Sequence, residues 1–450
     1  MAVRGPNEDG HRYIPAAVAG GASAVVCEDD GGVPPGVACA VLANTRDCIG
    51  RLAQEIRGRP ASKLVNVAVT GTNGKSTVVH LIRSALALAG HSPAVLGTIA
   101  YDTGRRNVPA VTTTPGAVEL AEMTAEMVAS GRTHLVMEAS SHALDQRRTD
   151  GLDFRAAVFT NLTGDHLDYH LTMDNYLAAK RRLFERLGRD AVAVLNRDDK
   201  AGGAMAAATG ARVLWYGLGP DAEVRGKIER AGADGMHFSL AAQGREVSAF
   251  TPLVGRHNVM NCLAAAAACT SLAVPLERVV EVLASVDRIR GRLERVNSGA
   301  SFDVFVDYAH TDDALRNVLS AIRPLTRGRL ILVFGCGGDR DRTKRPRMAC
   351  VAEELADRII VTSDNPRGEQ PRAIIDEIMA GFSDRGLPRT AVRMERREAI
   401  ELAVQEARPG DVVLVAGKGH ETYQDIGGRR IHFDDVEVVG EALARRGGQA

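Results

Sequence analysis

The sequence feature that most constrains the fold is an apolar, β-branched run over residues 64–70 that ends in a glycine-containing turn. Residues 75–77, Lys-Ser-Thr, follow the turn and open a helical stretch that extends to Gly90. A strand that runs through such a turn into a helix is typical of α/β folds, and the turn's N–H groups bind anions. The phosphate-loop pattern G-x-x-x-x-G-K-[ST] is met only in its second half, because Val69 holds its first position. We predict a nucleoside triphosphate site with Mg²⁺ on the Ser76 hydroxyl; the alternative is a glycine-rich turn that only caps a helix.

The same order of strand, glycine turn and helix recurs along the chain. Short apolar runs predict parallel strands with crossover helices, and ligands of such sheets gather at the carboxyl ends of the strands. Residues 212–254, which alternate in polarity between glycine turns, predict an antiparallel edge or excursion. The expected strands are 64–69, 134–138, 155–160 and 191–195, then 303–307, 329–335, 357–362 and 411–415, and helices are expected at 174–187, 257–273 and 276–286.

Residues 1–60 predict a separate small α/β unit. Its expected elements are strands at 1–3, 24–26 and 37–42 and helices at 13–19 and 47–56. A length of about sixty residues is marginal for independent folding, so the unit is either a docked appendage or an incomplete domain. The predicted fold class is α/β with three domains: this unit, a central P-loop ATPase-like parallel-sheet domain at 61–290, and a C-terminal Rossmann-like domain at 291–450.

The composition excludes several classes of partner. Lys plus Arg and Asp plus Glu number 56 each, so no bulk charge draws the chain to nucleic acid or to a membrane surface. No apolar run is long enough to span a bilayer. The seven cysteines show no zinc-binding spacing, and an odd, scattered set indicates reduced thiols in a cytoplasmic protein.

Chemically capable side chains follow the predicted strands of the first series. Glu138 ends the second strand, where a buried carboxylate needs a cation such as Mg²⁺ or an ion-pair partner. Residues 140–142, Ser-Ser-His, add hydroxyls and an imidazole. Residues 161–170 hold two Asp and two His within six positions, which favours a cation or phosphate contact as much as a plain polar loop.

Other candidates have an ordinary structural explanation that spacing alone would prefer. Lys180 lies in a predicted helix and is typical of a solvated lysine. Residues 112–114, three threonines before a proline, either cap a helix or bind a diphosphate or sugar. Residues 307–310 end a strand and could cap the next helix. The turn Asp364-Asn365-Pro366-Arg367 fits a zwitterionic ligand, with Arg367 for a carboxylate, but equally a surface turn with a local ion pair.

Taken together, these motifs resemble the Mur ligase family over almost the whole chain. The resemblance is carried by residues 70–75, 138–142, 161–170 and 307–311 in this order, and the turn at 364–367 narrows it further. It implies an ATP- and Mg²⁺-dependent ligase that joins meso-2,6-diaminopimelate to UDP-N-acetylmuramoyl-L-alanyl-D-glutamate through an acyl phosphate. The implied setting is cytoplasmic synthesis of a peptidoglycan precursor by a monomer that acts on small molecules.

The resemblance also implies a role for individual positions. The catalytic set is Lys75, Glu138, His166 and Lys180, and Lys180 is expected to be carbamylated, which turns a cation into an anion that can bridge to Mg²⁺. Ser76, Glu138, His166 and carbamylated Lys180 are the expected metal ligands. ATP is expected at Gly71, Thr72, Asn73, Gly74, Lys75, Ser76, Thr77, Asn258, Asn261, Arg292, Asp307 and His310. The UDP-muramoyl dipeptide is expected at Pro6, Asn7, Glu8, Thr112, Thr113, Thr114, Ser140, Gln146 and Arg148, and diaminopimelate at Arg340, Asp364, Asn365, Pro366, Arg367, Gly417 and Glu421.

The sequence departs from the family pattern at Ser76, at Asp312 and in the N-terminal domain, and two other functions are weighed beside the one implied. Ser76 replaces the usual threonine but keeps its hydroxyl, and Asp312 stands where the family often has proline. We expect the N-terminal domain to lack about forty residues of the family's domain, including a strand and part of the uridine pocket. The alternatives are a ligase like folylpolyglutamate synthase, and a non-catalytic relative that binds nucleotide without turnover.

Overall fold

A computed structural model describes residues 1–5, 8–232, 234–286, 289–296 and 299–447 of the chain. Three sheets fall within the ranges predicted as domains: two strands within 1–60, eleven within 61–290 and six within 291–450, besides a separate hairpin near the C-terminus. The domain boundaries themselves stay a prediction. Among the described helices, none is both long and apolar enough to cross a lipid bilayer.

The N-terminal unit is docked on the central unit through one helix. It contains α1 (Ile14–Ala19), β1 (Ala24–Cys27), β2 (Ala38–Val41) and α2 (Arg46–Ile56), preceded by a 3₁₀ turn at Gly10–Tyr13 and followed by another at Pro60–Lys63. Gln54 of α2 donates to Thr124 Oγ1 at 3.1 Å and accepts from Ala61 N at 3.1 Å. The strand predicted at 1–3 is wrong: the described residues 1–5 form no strand, because the chain turns back at Gly5 and makes an isolated bridge from Arg4 to Asp9, although Ala2 N donates to Val26 O of β1 at 2.8 Å.

The central unit is built on a sheet whose middle strands are parallel and whose two edges are antiparallel. The strand order is β13-β12-β11-β10-β9-β8-β3-β7-β4-β5-β6. The strands are β3 (Val65–Thr70), β4 (Pro93–Leu96), β5 (Ala100–Asp102), β6 (Asn107–Pro109), β7 (His134–Glu138), β8 (Phe154–Phe159), β9 (Val192–Asn196), β10 (Arg212–Gly217), β11 (Val224–Gly232), β12 (Gly235–Ala242) and β13 (Arg245–Thr251). The antiparallel excursion predicted at 212–254 is confirmed for β11 to β13, whereas β10 continues the parallel ladder with β9.

Helices cover both faces of this sheet. One core packs α3, α9 and α10 against it, and the run of alanines at 264–268 lets α9 approach closely because small side chains take little space. The other core packs α4 and α7 on the opposite face. The helices are α3 (Lys75–Leu88), α4 (Ala117–Ala129), α5 (Ser141–Asp145), α6 (Leu167–His170), α7 (Met173–Glu185), α8 (Gly202–Ala208), α9 (Arg256–Ser271) and α10 (Leu276–Ser285).

The C-terminal unit repeats the same plan with strand order β14-β15-β19-β16-β17-β18, parallel except for β14. Its strands are β14 (Glu294–Arg295), β15 (Asp303–Asp307), β16 (Leu330–Phe334), β17 (Arg358–Val361), β18 (Thr390–Val392) and β19 (Val412–Ala416), and the hairpin is β20 (Tyr423–Ile426) with β21 (Arg429–His432). Its helices are α11 (Asp312–Ile322), α12 (Lys344–Leu355), α13 (Pro371–Met379), α14 (Arg396–Glu406) and α15 (Asp435–Gly447), with 3₁₀ turns at Arg323–Leu325 and Leu387–Arg389.

The carboxyl ends of the strands in the two large sheets meet at one junction. Asp313, at the start of α11, accepts hydrogen bonds from Asn73 Nδ2 at 2.8 Å and Thr163 Oγ1 at 3.1 Å. Arg292 Nη2 donates to Ser76 Oγ at 3.1 Å. These contacts set the C-terminal unit directly over the phosphate loop.

Candidate active site

The phosphate loop needs glycine at two positions for different reasons. Gly71 has φ +145, and a Cβ there would lie 1.9 Å from Thr160 Oγ1. Gly74 has φ +87, which disfavours other residues, and a Cβ there would lie 2.3 Å from Asn261 Oδ1. The loop is therefore packed against β8 on one side and α9 on the other, and its conformation depends on both.

Two lysines, the half-buried Lys75 and the buried Lys180, meet at one carbonyl of this loop. Lys75 Nζ donates to Gly71 O at 3.0 Å and Thr72 O at 2.8 Å, and Lys180 Nζ donates to the same Gly71 O at 2.9 Å. Burial, and then the neighbouring charge of Lys75, hold the pKa of Lys180 well below its usual value. The expectation from spacing, a solvated lysine at 180, is wrong, because the amine lies in the core beside the phosphate loop with only 1% of the residue exposed.

Glu138 is held by hydroxyl and amide donors at the end of β7. Its Oε1 accepts from Ser76 Oγ at 2.9 Å and from Thr98 N at 2.8 Å, and its Oε2 accepts from Thr98 Oγ1 at 3.0 Å. Arg292 reaches the same Ser76 hydroxyl, and its Nε is buried without a hydrogen-bond partner. A carboxylate, a hydroxyl and a guanidinium whose Nε has no hydrogen-bond partner thus lie together at the start of α3.

Glu138, Thr98 and Arg292 line a cavity of about 480 Å³ between the two large units. Ten of the twelve residues predicted to bind ATP line it, and Gly71 and Ser76 do not. Of the predicted catalytic residues, Lys75, Glu138 and His166 line it, and Lys180 lies behind the loop. The ten are Thr72, Asn73, Gly74, Lys75, Thr77, Asn258, Asn261, Arg292, Asp307 and His310.

The histidines of the cavity are neutral imidazoles. Burial lowers the pKa of His166 to about 3 and that of His310 to about 4. Their Nε2 atoms lie 3.5 Å and 3.9 Å from Asp165 Oδ2, one from each large unit. His166 has φ +56, a left-handed conformation that is uncommon outside glycine, so its ring is held toward the cavity at some conformational cost.

Four of the residues predicted to contact the UDP-muramoyl dipeptide form one hydrogen-bonded network. Thr114 Oγ1 donates to Glu138 O at 2.8 Å and accepts from Ser140 N at 3.0 Å, and Arg148 donates to Thr114 O at 2.9 Å and to Gln146. The helix-cap explanation for residues 112–114 is wrong, because Gly116 is the N-cap of α4 and Thr114 binds the end of β7 instead.

The remaining members of that predicted set lie at other places. Thr112 O accepts from the Tyr101 hydroxyl, and Thr113 Oγ1, which lines the cavity, lies 3.2 Å from Thr98 Oγ1. Glu8 lies on the exposed N-terminal unit and accepts from the Tyr13 hydroxyl. Pro6 and Asn7 lie outside the described residues.

The turn Asp364-Asn365-Pro366-Arg367 and the loop after β19 lie together in a hydrogen-bonded polar cluster, here called the second pocket. Asn365 Nδ2 donates to Glu421 Oε2 at 2.6 Å, and Arg367 Nη1 donates to Gly338 O at 2.7 Å. Gly417 has φ +119, and a Cβ there would lie 2.4 Å from Asp364 Oδ2, so only glycine lets the two loops meet. The local ion pair considered for this turn is not formed within the described residues, because Asp364 faces Arg396 at 4.0 Å instead.

Arg340 belongs to the loop after β16 that Arg367 contacts at Gly338, and Tyr308 follows β15. Arg340 is exposed and donates to Asp339 O at 2.9 Å. Tyr308 lines the cavity, and its ring lies 4.6 Å from that of His310 and 4.8 Å from that of His420. Tyr308 and His420 therefore lie where the cavity and the pocket meet.

Several residues of the site have no counterpart in the sequence predictions. Lys418, Arg396, Asp313 and Thr98 all bind residues that were predicted. Lys418 had a usable signal, since it follows a buried strand in the run Gly417–Glu421, whereas nothing in the sequence around Arg396 indicates that it reaches Asp364.

The donors for a metal ion are present only in part. Within the described ranges, no three or more His, Cys, Asp or Glu side chains are arranged to hold a metal ion. The Ser76 hydroxyl and Glu138 carboxylate are nonetheless the oxygen donors that Mg²⁺ prefers, and they lie 2.9 Å apart. These two residues fit a magnesium ion beside the phosphates.

Comparison with known proteins agrees with this geometry. The model of the Mur ligase middle domain matches residues 69–269, and that of the Mur ligase glutamate ligase domain matches residues 291–419. A UDP-N-acetylmuramoyl-L-alanyl-D-glutamate–2,6-diaminopimelate ligase of Geobacter metallireducens is 44% identical over 463 residues, which cover 98% of this chain and 91% of the relative.

Solved structures have a similar fold. A UDP-N-acetylmuramoyl-L-alanyl-D-glutamate–2,6-diaminopimelate ligase superposes with a TM-score of 0.68 at 35% identity, covering 97% of this chain and 90% of that one. Folylpolyglutamate synthase of Mycobacterium tuberculosis, with ADP and AMPPCP, gives a TM-score of 0.69 at 19% identity over 89% of this chain and 94% of that one, a likeness of fold alone. Two matched domains and a 44% identical relative over nearly the whole length are sufficient: the chain belongs to the Mur ligase family.

Proposed function

We propose that the chain is an ATP-dependent ligase that adds meso-2,6-diaminopimelate to UDP-N-acetylmuramoyl-L-alanyl-D-glutamate in peptidoglycan precursor synthesis. The observation that carries this proposal is the full-length similarity to relatives named for that reaction, at 44% identity for the first. The adjoining pocket formed by Asp364, Asn365 and Glu421 has the carboxylate and amide groups that an amino acid ammonium needs.

In the first half-reaction, the side-chain carboxylate of D-glutamate attacks the γ-phosphorus of ATP. The bond to the β,γ-bridging oxygen breaks, which gives an acyl phosphate and ADP. The phosphate loop and Lys75 hold the phosphate oxygens and offset the charge that moves onto them, so the protein acts mainly by position and by electrostatics. Arg292, with its unpartnered Nε, adds a donor from the C-terminal unit.

In the second half-reaction, the amine of diaminopimelate attacks the acyl carbon. Phosphate leaves with the bonding electron pair, and the amine nitrogen loses a proton as the amide forms. We assign Arg367 and Arg340 to the distal carboxylate of diaminopimelate, and Asp364 and Glu421 to the distal ammonium. Lysine lacks that carboxylate and would leave the arginines unpaired, which costs more than one lost contact.

Magnesium, when bound, would supply charge neutralisation at the phosphates. Ser76 and Glu138 are the residues that would hold it, and a carbamate on Lys180 would add an anionic oxygen donor close to Gly71. We further propose that the enzyme is a cytoplasmic monomer.

The test is phosphate release from ATP with UDP-N-acetylmuramoyl-L-alanyl-D-glutamate as acceptor. We expect release to require meso-diaminopimelate and to be at least about 100-fold less efficient with L-lysine, because removal of a charged hydrogen-bonding group from a matched site has effects of this size. Equal turnover with L-lysine would refute the specificity. ATP binding without substrate-dependent release would favour a non-catalytic protein, and release that depends on a folate and glutamate would favour the folylpolyglutamate alternative.

A further inference from the structure

One ammonium group in the second pocket is completely enclosed. Lys418 is 0% exposed, and its Nζ donates to Asn365 Oδ1 at 3.1 Å and to Glu421 Oε2 at 3.2 Å. A lysine is almost never fully buried unless it is paired, because removal of the charge from water is costly. The groups that Lys418 contacts must therefore compensate for the burial of its charge.

Lys418 fixes the orientation of the Asn365 amide. Asn365 Oδ1 accepts from Lys418 and also from Asp425 N at 3.0 Å, so two donors determine which end of the amide is oxygen. The amide nitrogen must then point to Glu421, where it donates to Oε2 at 2.6 Å. The three side chains close a ring of hydrogen bonds with only one consistent arrangement.

The same ring leaves one oxygen of Glu421 for a ligand. Both hydrogen bonds end on Oε2, and within the described part of the chain Oε1 accepts none. The Glu421 side chain is 16% exposed while that of Lys418 is 0% exposed, so the lysine lies behind the carboxylate and the carboxylate faces the pocket.

The surroundings of Glu421 disfavour its charge, and Lys418 opposes that effect. Burial, and then the charge of Asp364, raise the pKa of Glu421, whereas Lys418 lowers it. The other charged or titratable groups that act on Glu421 or share its pocket are Arg396 from α14, Tyr308 after β15, Tyr423 of β20, and His420. Arg396 is already committed to Asp435 at 2.7 Å, so Lys418 is the cation in hydrogen-bond contact with Glu421.

We propose that Lys418 is a positioning residue of the amino acid pocket, which holds Glu421 through Oε2 so that Oε1 is left for the ammonium of the incoming diamino acid, and which locks the Asn365 amide. This inference rests on the proposed function, since it names diaminopimelate as the ligand. Lys418 acts through Glu421 and Asn365 and does not itself touch the substrate.

The test compares K418M with K227M, an equivalent change at an exposed lysine of β11. Michaelis constants for each substrate and the pH profile of kcat/KM for diaminopimelate are measured for both variants. We expect K418M to raise KM for diaminopimelate about tenfold to a hundredfold, with KM for ATP unchanged, because a charge-assisted contact is lost. The acid limb of its profile should also move to higher pH, because Glu421 loses the cation that lowers its pKa.

A double-variant cycle separates positioning from packing. If Lys418 acts through Glu421, K418M should cost at least about fivefold less in an E421Q background than alone. If the fold-changes of K418M and E421Q simply multiply in the double variant and the pH profile of K418M is unshifted, the two residues act independently and the proposal is overturned. A K418M enzyme with the same kinetics as K227M would overturn it as well. K418Q, which keeps a donor but no charge, replaces K418M if that variant does not fold. If neither folds, Lys418 serves the fold and the proposal is wrong.

The wild-type assay keeps the two proposals apart. If the wild type releases no phosphate with diaminopimelate, the proposed function fails. If the wild type is active and K418M is unaffected, only the role of Lys418 fails.

Discussion

At the residue scale, the environment of Lys180 favours chemical modification of its amine. A carbamate forms when a neutral amine attacks CO₂, and the lowered pKa of Lys180 makes the neutral form available below the pH range where lysine normally loses its proton. We expect the enzyme to lose activity in CO₂-depleted buffer and to recover it with bicarbonate. We expect K180M to lower kcat at least about 100-fold, which is typical of the loss of one preorganised electrostatic group.

The matched control for Lys180 is Arg181, the next residue of the same helix. Arg181 is exposed and pairs with Glu185 at 2.7 Å, so R181M should keep activity within about twofold, since exposed pairs contribute little. Phosphate release at saturating substrates is the measurement for all three enzymes. A K180M enzyme with near wild-type kcat, or a wild type indifferent to bicarbonate, would contradict carbamylation at this position.

Individual site residues could be predicted where a short motif and the order of the strands fix the positions of the residues relative to one another. Lys75 and Glu138 follow buried strands, and the carboxyl ends of neighbouring parallel strands must meet, so their closeness could be argued from order alone. Arg396 could not be predicted, because its contact with Asp364 depends on how α14 packs against the sheet. Lys180 shows the same limit: the helix was predicted, but which of its faces is buried was not.

At the element scale, the phosphate loop offers a comparison between two glycines of nearly identical conformation. Gly74 has φ +87 and Gly90 has φ +89; a Cβ at Gly90 meets nothing within 4 Å, whereas one at Gly74 meets Asn261. Both alanine variants should lose about 1–2 kcal/mol of stability from the left-handed backbone. Only G74A should also raise KM for ATP, by about tenfold, because Asn261 is buried and must move into the cavity.

Thermal unfolding and steady-state kinetics of the two variants check this prediction. Equal KM values for ATP in G74A and G90A would mean that the loop tolerates the added methyl group. The contact of Gly74 with α9 would then be unimportant for nucleotide binding.

The strands with buried, β-branched runs were predicted within one or two residues, and the short edge strands were not. β3, β7, β8 and β9 are mostly apolar segments, which is typical of strands covered on both faces. β4, β5 and β6 have four, three and three residues and carry little pattern, and the hairpin at 423–432 was missed for the same reason. Register between β3 and β7 joins residues about seventy positions apart and is set by tertiary packing, not by local sequence.

For the whole molecule, buried neutral histidines make the free energy of unfolding depend on pH. Burial lowers the pKa to about 4 for His134, His170, His257 and His310 and to about 3 for His166 and His420. An unfolded chain would protonate the same groups near pH 6.5. At these six positions the folded chain therefore binds fewer protons than the unfolded chain in this window, so the histidines lower its stability as the pH is lowered from about 6.5 toward 4.

His134 allows one of these contributions to be isolated, since it lies at the start of β7 and outside the cavity. It is 7% exposed, and burial and then its neighbour His91, with ring centroids 4.5 Å apart, lower its pKa to about 4. Each such histidine adds a slope of about 1.4 kcal/mol per pH unit to the unfolding free energy. H134Q should make the slope between about pH 5 and 6 shallower by up to that amount.

Urea unfolding followed by the fluorescence of Trp215 measures this slope, because that single tryptophan lies on β10 of the same sheet as His134. The control is H432Q, at an exposed histidine of the C-terminal hairpin that pairs with Glu437 at 2.7 Å. It should leave the slope of the tryptophan transition unchanged, because the hairpin is not part of that sheet. If H134Q and the wild type lose stability in parallel down to pH 5, then His134 is protonated in the folded chain, and the acid sensitivity of the central unit must come from its other titrating groups.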